Sequence, residues 1–364
     1  MRQKLYFPIL IALMTIEAAG VAQGQFLRNN SILDSLQSIT ASTIPPNGDL
    51  NPYGIAFVPS GFPAGANIAA GDVLVANFNN STNAQGTGTT IVSITPEGQQ
   101  ALFATSPLIG LSTALGALSR GFVVVGNLPV TYPGGVATPQ QGSLQFFNRN
   151  GTLVLTLNDA NLLDSPWDLT INDQGSQAQV FVSNVLSGTV TRLNLSVGSN
   201  QVTVVSKTRI GSGYAHQPNA AAVVVGPTGL AFDPFRDTLY VASTADNKIF
   251  AIADAGNRSN SADLGYVVFA DQTHLHGPLG LTLAPNGNLI TANGDAVDPA
   301  GTQNELVEFT TQGYLVAQYQ MDSSAPGSAF GVASTGTFGF FRIAAVDDNL
   351  STVTVWTIPL GFGL

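Results

Sequence analysis

From Asn51 onward the chain is a succession of short apolar runs separated by Gly, Pro and Asn. "GPLGLTLAPNGNLITANG", from Gly277 to Gly294, shows the pattern. Gly and Pro open a first run, "APNG" turns the chain, and "NLITAN" forms a second run. Runs of roughly four to eight residues, rich in Val, Ile, Thr, Phe and Tyr and bounded by turn formers, predict strands and not helices.

The same unit recurs. "NPYGIAFVP" starts at Asn51, "STALGALSR" at Ser112, "SPWDLTIND" at Ser165, "GPTGLAFDP" at Gly226, "GPLGLTLAP" at Gly277 and "SAFGVASTG" at Ser328. Aligned on their fourth or fifth residue, the copies place Gly54, Gly116, Asp168, Gly229, Gly280 and Gly331 in one column. A repeat spacing of about 50 to 60 residues is the mark of a repeat architecture. Each copy continues with a second run ("GDVLVANFNN", "DTLYVASTADN"), a third ("TTIVSITPEG", "NKIFAIAD") and usually a fourth ("QQALFA", "YVVFA"). One four-stranded sheet cannot cover both of its faces, whereas radial packing covers each face with a neighbour. The pattern therefore predicts an all-β fold: a six-bladed β-propeller of four-stranded antiparallel blades over residues 51–364. After "STVTVWTIP" only Leu360 to Leu364 remain, too few for a last outer strand. Segment 25–50, through "SILDSLQSIT" at Ser31 to Thr40, is expected to supply that strand and close the ring.

Composition narrows the function classes. Charged residues make up 9% of the chain and the net charge is −10. That excludes a nucleic-acid binder, which needs Lys and Arg against phosphate. There is no cysteine, which removes thiolate catalysis and Cys-ligated metal. Residues 1–24 read as a secretory signal: Arg2 and Lys4, an apolar stretch from Leu5 to Ile16, then Ala22 and Gly24 at a cleavage site. The protein is therefore expected outside the cytoplasm, extracellular or periplasmic, as a monomer. No later run is long enough to span a membrane.

"GPTGLAFDPFRDTLYVASTADNKIFAI", from Gly226 to Ile252, resembles the NHL repeat. After residue 24 the whole chain resembles the six-bladed NHL and SMP-30/gluconolactonase-type propellers. The resemblance implies the fold, and a group that contains metal-dependent lactonases, lyases and pure binding modules. The lactonases carry a metal-binding Glu near the first innermost strand, together with Asn and Asp on later ones. "NPYGIAF" has no Glu at that place, while Asn184 and Asp347 match the later ligands.

Several positions are candidates for chemistry. Asn77, Asn127, Asn184, Ser243, Asn293 and Asp347 recur where second runs end. Such residues either hold the following turn through Asx geometry or line one mouth and bind Ca²⁺ or a sugar-like ligand through oxygen. Asp168 replaces glycine in the axial column, where a carboxylate can coordinate a cation or act as a base. His216, His274 and His276 each precede an innermost strand. With Asp168 they would compose a Zn²⁺-type site with an open position, and some NHL-type lyases use histidines in this way. Asp295 and the Asp347–Asp348 pair lie in loops after second runs. The leading expectation is a secreted module that binds a small molecule, a protein or a glycan at one propeller mouth. The alternative is a metal-dependent hydrolase, lactonase or lyase acting at the channel.

Overall fold

The computed structural model describes residues 31–33, 38–294, 305–322, 327–337 and 340–359. The leader at 1–24 and Asp295 lie outside the described residues. Six four-stranded antiparallel sheets form a propeller. Blade one contains Leu50–Phe57, Val73–Asn79, Thr90–Ile94 and Gln100–Thr105, from the axis outward. Blade two contains Leu111–Leu118, Phe122–Asn127, Leu144–Asn148 and Leu153–Leu157. Blade three contains Pro166–Asp173, Gln177–Asn184, Thr189–Val197 and Val202–Ser212. Blade four contains Pro227–Asp233, Thr238–Ser243, Lys248–Ala253 and Tyr266–Phe269. Blade five contains Pro278–Leu283, Asn288–Asn293, Leu306–Thr310 and Leu315–Tyr319. Blade six contains Ala329–Thr337, Phe340–Asp347 and Thr352–Pro359, and Ser38–Ser42 completes it from the other end of the chain.

Burial follows position in the blade. Every residue of the second strands Val73–Asn79 and Asn288–Asn293 is buried, because both sheet faces meet a neighbouring blade. That is why these runs read as continuously apolar instead of alternating. The outermost strands, such as Leu315–Tyr319, are half-buried to exposed.

Each innermost strand opens with a bulge against its second strand. Beyond the bulge Ile55 pairs with Val75, Leu169 with Val182 and Leu230 with Val241. In blade two the equivalent pair is Leu115 with Val125, so Ala114, not Gly116, occupies the axial position. The bulge there runs from Leu111 to Leu115, one residue longer than the one from Pro166 to Leu169, and this slides the glycine past the column. Gly116 instead gives room to the next blade: a Cβ on it would lie 2.6 Å from Ile171 Cδ1. The true axial glycines let adjacent innermost strands touch. A Cβ on Gly229 would lie 2.3 Å from the Leu279 carbonyl oxygen, and one on Gly331 would lie 2.2 Å from that of Tyr53. The bulges also free carbonyls that neighbouring blades capture. Ser112 Oγ donates to the Pro166 carbonyl at 2.7 Å, and Thr228 Oγ1 to that of Pro278 at 2.9 Å.

The ring closes as the missing outer strand implied, with a shifted segment. Ser38–Ser42 pairs antiparallel with the third strand of blade six, from Ser38 opposite Trp356 to Ser42 opposite Thr352. Ile32 and Leu33 form a separate anchor, packing with Ile290, Leu306 and Trp356. The fully buried Glu308 carboxylate holds that anchor. One oxygen accepts from Ser31 Oγ at 3.0 Å and Ile32 N–H at 2.9 Å. The other accepts from the amides of Asn286 at 2.8 Å and Asn288 at 2.7 Å.

Candidate functional site

The two ends of the channel differ in chemistry. At the end where the innermost strands begin, Tyr53 stacks between Phe78 and Phe330, with ring centroids 4.4 and 4.5 Å away. Trp167 meets Tyr53 at 5.8 Å and Phe78 at 6.0 Å. Leu128, Val130, Val185 and Leu279 join this cluster, as do Val223 and Val224 of the hairpin Gln217–Asn219/Val223–Val225. Val223 sits at φ 63° although it is β-branched, a conformation that persists only where the surroundings impose it. Its buried side chain plugs the aromatic cap. The space left among these residues is about 10 Å³, too little for a ligand. Among the described residues this mouth is sealed.

At the other end, where the innermost strands finish, the channel opens as a funnel of about 230 Å³. All six blades contribute to it, among them Phe57, Leu115, Ile171, Leu230, Thr282 and Ser334. Asp168 lies at its floor, 9% exposed. Its carboxylate accepts from Leu169 N–H at 2.7 Å and from Leu230 N–H of the next blade at 3.3 Å. Ser183 Oγ accepts from Asp168 N–H at 3.0 Å and donates to the Thr228 carbonyl at 2.7 Å. The carboxylate and the Ser183 hydroxyl thus make a polar seam between blades three and four, where four of the other junctions bring backbone against an axial glycine. Ser183 was not a sequence candidate. Its signal was present, because Ala76, Gly126, Ala242 and Ala292 precede the column residue in other blades.

The recurring Asn column faces into the blades. Asn77 Nδ2 donates to the Thr43 carbonyl at 3.0 Å and to Thr90 Oγ1 at 3.2 Å. Asn127 donates to the Ile109 carbonyl at 2.9 Å and accepts from Ser143 N–H at 2.8 Å. Asn184 donates to the Leu162 carbonyl at 3.2 Å and accepts from Asp164 N–H at 3.1 Å. Asn293 donates to the His274 carbonyl at 2.8 Å and accepts from His276 N–H at 3.0 Å. Ser243 donates to Asp246, and Asp347 accepts from Leu350 N–H at 3.0 Å. Ser243 and Asp347 hold the following turn in the Asx manner, whereas the four asparagines bond the loop that leads into their own blade's innermost strand.

The histidines are placed apart from Asp168. His216 Nδ1 meets the Tyr214 carbonyl at 3.0 Å, His274 Nδ1 bonds the Asp271 carboxylate, and His276 Nε2 meets the Thr273 carbonyl at 3.1 Å. All three precede innermost strands, on the sealed side, whereas Asp168 lines the open funnel. On the same side as the histidines, Asp322 acts on Asp347 and Asp347 on Glu305 through space. Burial raises the Asp347 carboxyl above the usual range, and the negative charge of Asp322 adds to the effect. Burial likewise raises Glu305, with Asp347 contributing, although backbone N–H groups of Asp322 and Ser328 bond it.

No protein-family model matches the sequence, and no curated protein matches it. Solved structures do match in shape. A gluconolactonase from Xanthomonas campestris aligns over 86% of this chain and 87% of its own, with a TM-score of 0.53 and 13% identity. The calcium-binding protein regucalcin from Agrobacterium tumefaciens aligns over 89% of this chain and 96% of its own, also at a TM-score of 0.53 and 13% identity. A DUF4623 family protein from Bacteroides eggerthii gives a TM-score of 0.53 at 10% identity, over 91% of this chain and 77% of its own.

The fold is that of the SMP-30/gluconolactonase-like six-bladed propellers. Likeness at this identity carries the architecture and not the chemistry. A divalent cation is what such neighbours suggest, and the donor set of this propeller can be tested against one. Among the described residues no three of His, Asp and Glu are grouped so as to hold a metal ion. At the sealed mouth Tyr53, Trp167, Leu279 and Phe330 pack beside Thr228 and Thr244, whose hydroxyls bond the Pro278 carbonyl, and Asn184 and Asp347 are committed to loop hydrogen bonds. Hard cations need several oxygen ligands, and among the described residues the aromatic cap does not supply such a set.

Asp168 itself has an acid–base signature. Burial pushes its carboxyl well above the ordinary carboxylate value of 3.8, and the two backbone N–H bonds only partly oppose this. The folded state therefore holds the proton to higher pH than the unfolded chain does. Its stabilising contribution is fully present below the unfolded value and is lost as pH rises through the folded one. Asp168→Asn removes the titration. The melting temperature of Asp168→Asn minus that of the parent is expected to grow more positive as pH rises above the ordinary carboxylate value of 3.8. A difference independent of pH would contradict a buried, proton-retaining carboxyl.

Proposed function

We propose that the protein is an exported ligand-binding propeller whose receiving site is the open funnel at the end of the innermost strands. One observation carries this reading: the opposite mouth is filled by the Tyr53–Phe78–Trp167–Phe330 cap, while the funnel is open and has a single buried carboxyl at its floor. A concave opening with convergent polar groups is a usual setting for a small-molecule site. Phe57, Leu115, Ile171 and Leu230 supply the walls; Asp168 and the Thr282–Ser334 hydroxyl pair, 2.9 Å apart, supply the polar contacts. The exposed lining of the funnel is more polar than apolar, so the expected ligand is small and polar, with several hydrogen-bonding groups.

The shared fold with a gluconolactonase supports a second reading, hydrolysis at the channel. In that case Asp168 would serve as the acid–base group. One experiment separates the two. Thermal-shift screening of a small-molecule library is run on the parent and on Ala333→Phe, which fills the funnel, alongside lactone hydrolysis with added Ca²⁺ or Zn²⁺. Binding predicts ligands that raise the melting temperature of the parent and not of Ala333→Phe, with lactone turnover at the buffer rate. Metal-dependent turnover that disappears in Asp168→Asn would replace the binding reading with the hydrolytic one.

A further inference from the structure

A second pocket, of about 380 Å³, lies between blades six and one on the same face as the funnel. Val58, Ser60, Pro96, Thr335, Phe340 and Thr357 line it, and Thr335 also borders the funnel. Arg342 enters it from the second strand of blade six. The residue is 8% exposed, yet its guanidinium has no ion pair among the described residues. Nη1 donates to the Gly71 carbonyl at 2.5 Å, and the group lies 5.1 Å from the Phe57 ring centroid. That leaves most of its five donors without a protein acceptor. The nearby carboxylate of Asp72 is turned to Ala69 N–H at 2.8 Å, and Glu97 acts on Arg342 only through space.

A buried guanidinium without a direct ion pair is costly, and Asp72 and Glu97 offset that cost only through space. The other buried arginine, Arg192, donates to two backbone carbonyls, of Ala255 at 2.8 Å and Arg258 at 2.9 Å, while its Nε is left without a partner. Exposed Arg236 meets Asp233 at 2.6 Å. Arg342 differs in that its side chain itself lines an open pocket.

We infer that this pocket binds a small amphipathic carboxylate, with its carboxylate on Arg342 and its apolar body against Val58, Pro96 and Phe340. The planar guanidinium fork matches a carboxylate with two parallel hydrogen bonds, and the hydroxyls of Ser60, Thr335 and Thr357 border the site. Burial lowers the affinity of Arg342 for its proton, an effect that an incoming negative charge reverses. The inference goes beyond the funnel reading and stands without it.

Calorimetric titration of the whole protein with benzoate, and with benzyl alcohol as the uncharged counterpart, tests it. Benzoate is expected to bind one saturable site at least about tenfold more tightly than the alcohol, because a charged hydrogen-bonded pair replaces a neutral one. Arg342→Met keeps the apolar length and should erase that preference. Phe340→Ala alters an exposed wall residue and should weaken both probes about three- to tenfold while keeping the preference. Ala333→Phe should leave benzoate binding unchanged, which separates this site from the funnel. Equal affinity for benzoate and benzyl alcohol, or a preference that survives in Arg342→Met, overturns the inference. If Arg342→Met does not fold, unchanged benzoate affinity in Phe340→Ala overturns it instead.

Discussion

Deleting residues 25–42 is expected to lower the melting temperature by about 10 °C or more, the largest single effect in this propeller. Three losses coincide. The five-residue ladder between Ser38–Ser42 and blade six disappears, which leaves the third strand of that blade as a free edge. Ile32 and Leu33, 7% and 6% exposed, are removed from the cluster with Ile290 and Trp356, at about 1.5–3 kcal/mol for each side chain. The buried Glu308 carboxylate loses two of its four donors and keeps only Asn286 and Asn288. Circular dichroism melting checks the prediction, and gel filtration should show self-association through the new edge. Two smaller variants apportion the loss. Thr40→Pro breaks the ladder, while Ile32→Ala with Leu33→Ala breaks the anchor. An unchanged melting curve on deletion would mean that the ring does not depend on its closure.

Trp167→Ala should cost about 3–5 kcal/mol, the range for truncating a buried aromatic. The ring is 2% exposed and contacts Tyr53 and Phe78, so its removal leaves a cavity that the rigid surrounding strands cannot collapse to fill. Denaturant unfolding measures the loss. Fluorescence tests the seal directly, because Trp356 is the only other tryptophan. In Trp356→Phe the remaining emission should be blue-shifted and nearly inaccessible to acrylamide. Strong quenching would show that water reaches the cap and that this mouth is open.

The aromatic cap was partly legible in the chain. Tyr53, Trp167 and Phe330 each precede the axial position of an innermost strand, but Thr228 and Leu279 occupy the same place in other blades. Nothing local distinguishes a plug from a site lining at that position. The hairpin that covers the cap, Gln217–Asn219 with Val223–Val225, lies in a connection outside the repeat, so its role depended on the ring being assembled. The Asn column was visible as a recurrence, and its orientation was not. Asn77 finds its acceptor on Thr43, and Asn127 on Ile109, partners set by how each blade's entry loop returns over its second strand.

The sequence by itself determined the architecture: six repeats of four short apolar runs, a last blade lacking its outer strand, and a shared fold in which that strand comes from the N-terminal side. Strand period, turn residues and repeat spacing are local properties, and radial packing is the arrangement in which such units cover one another. The tertiary structure decided what lies at the axis. One extra residue in the bulge of blade two replaced Gly116 by Ala114 in the column. The opposed ends of the innermost strands separated Asp168 from the three histidines. Arg342, unremarkable within its own strand, meets Gly71 across 271 residues of chain and faces a pocket there. These outcomes follow from register and from contacts between blades, and both exist only once the ring has closed.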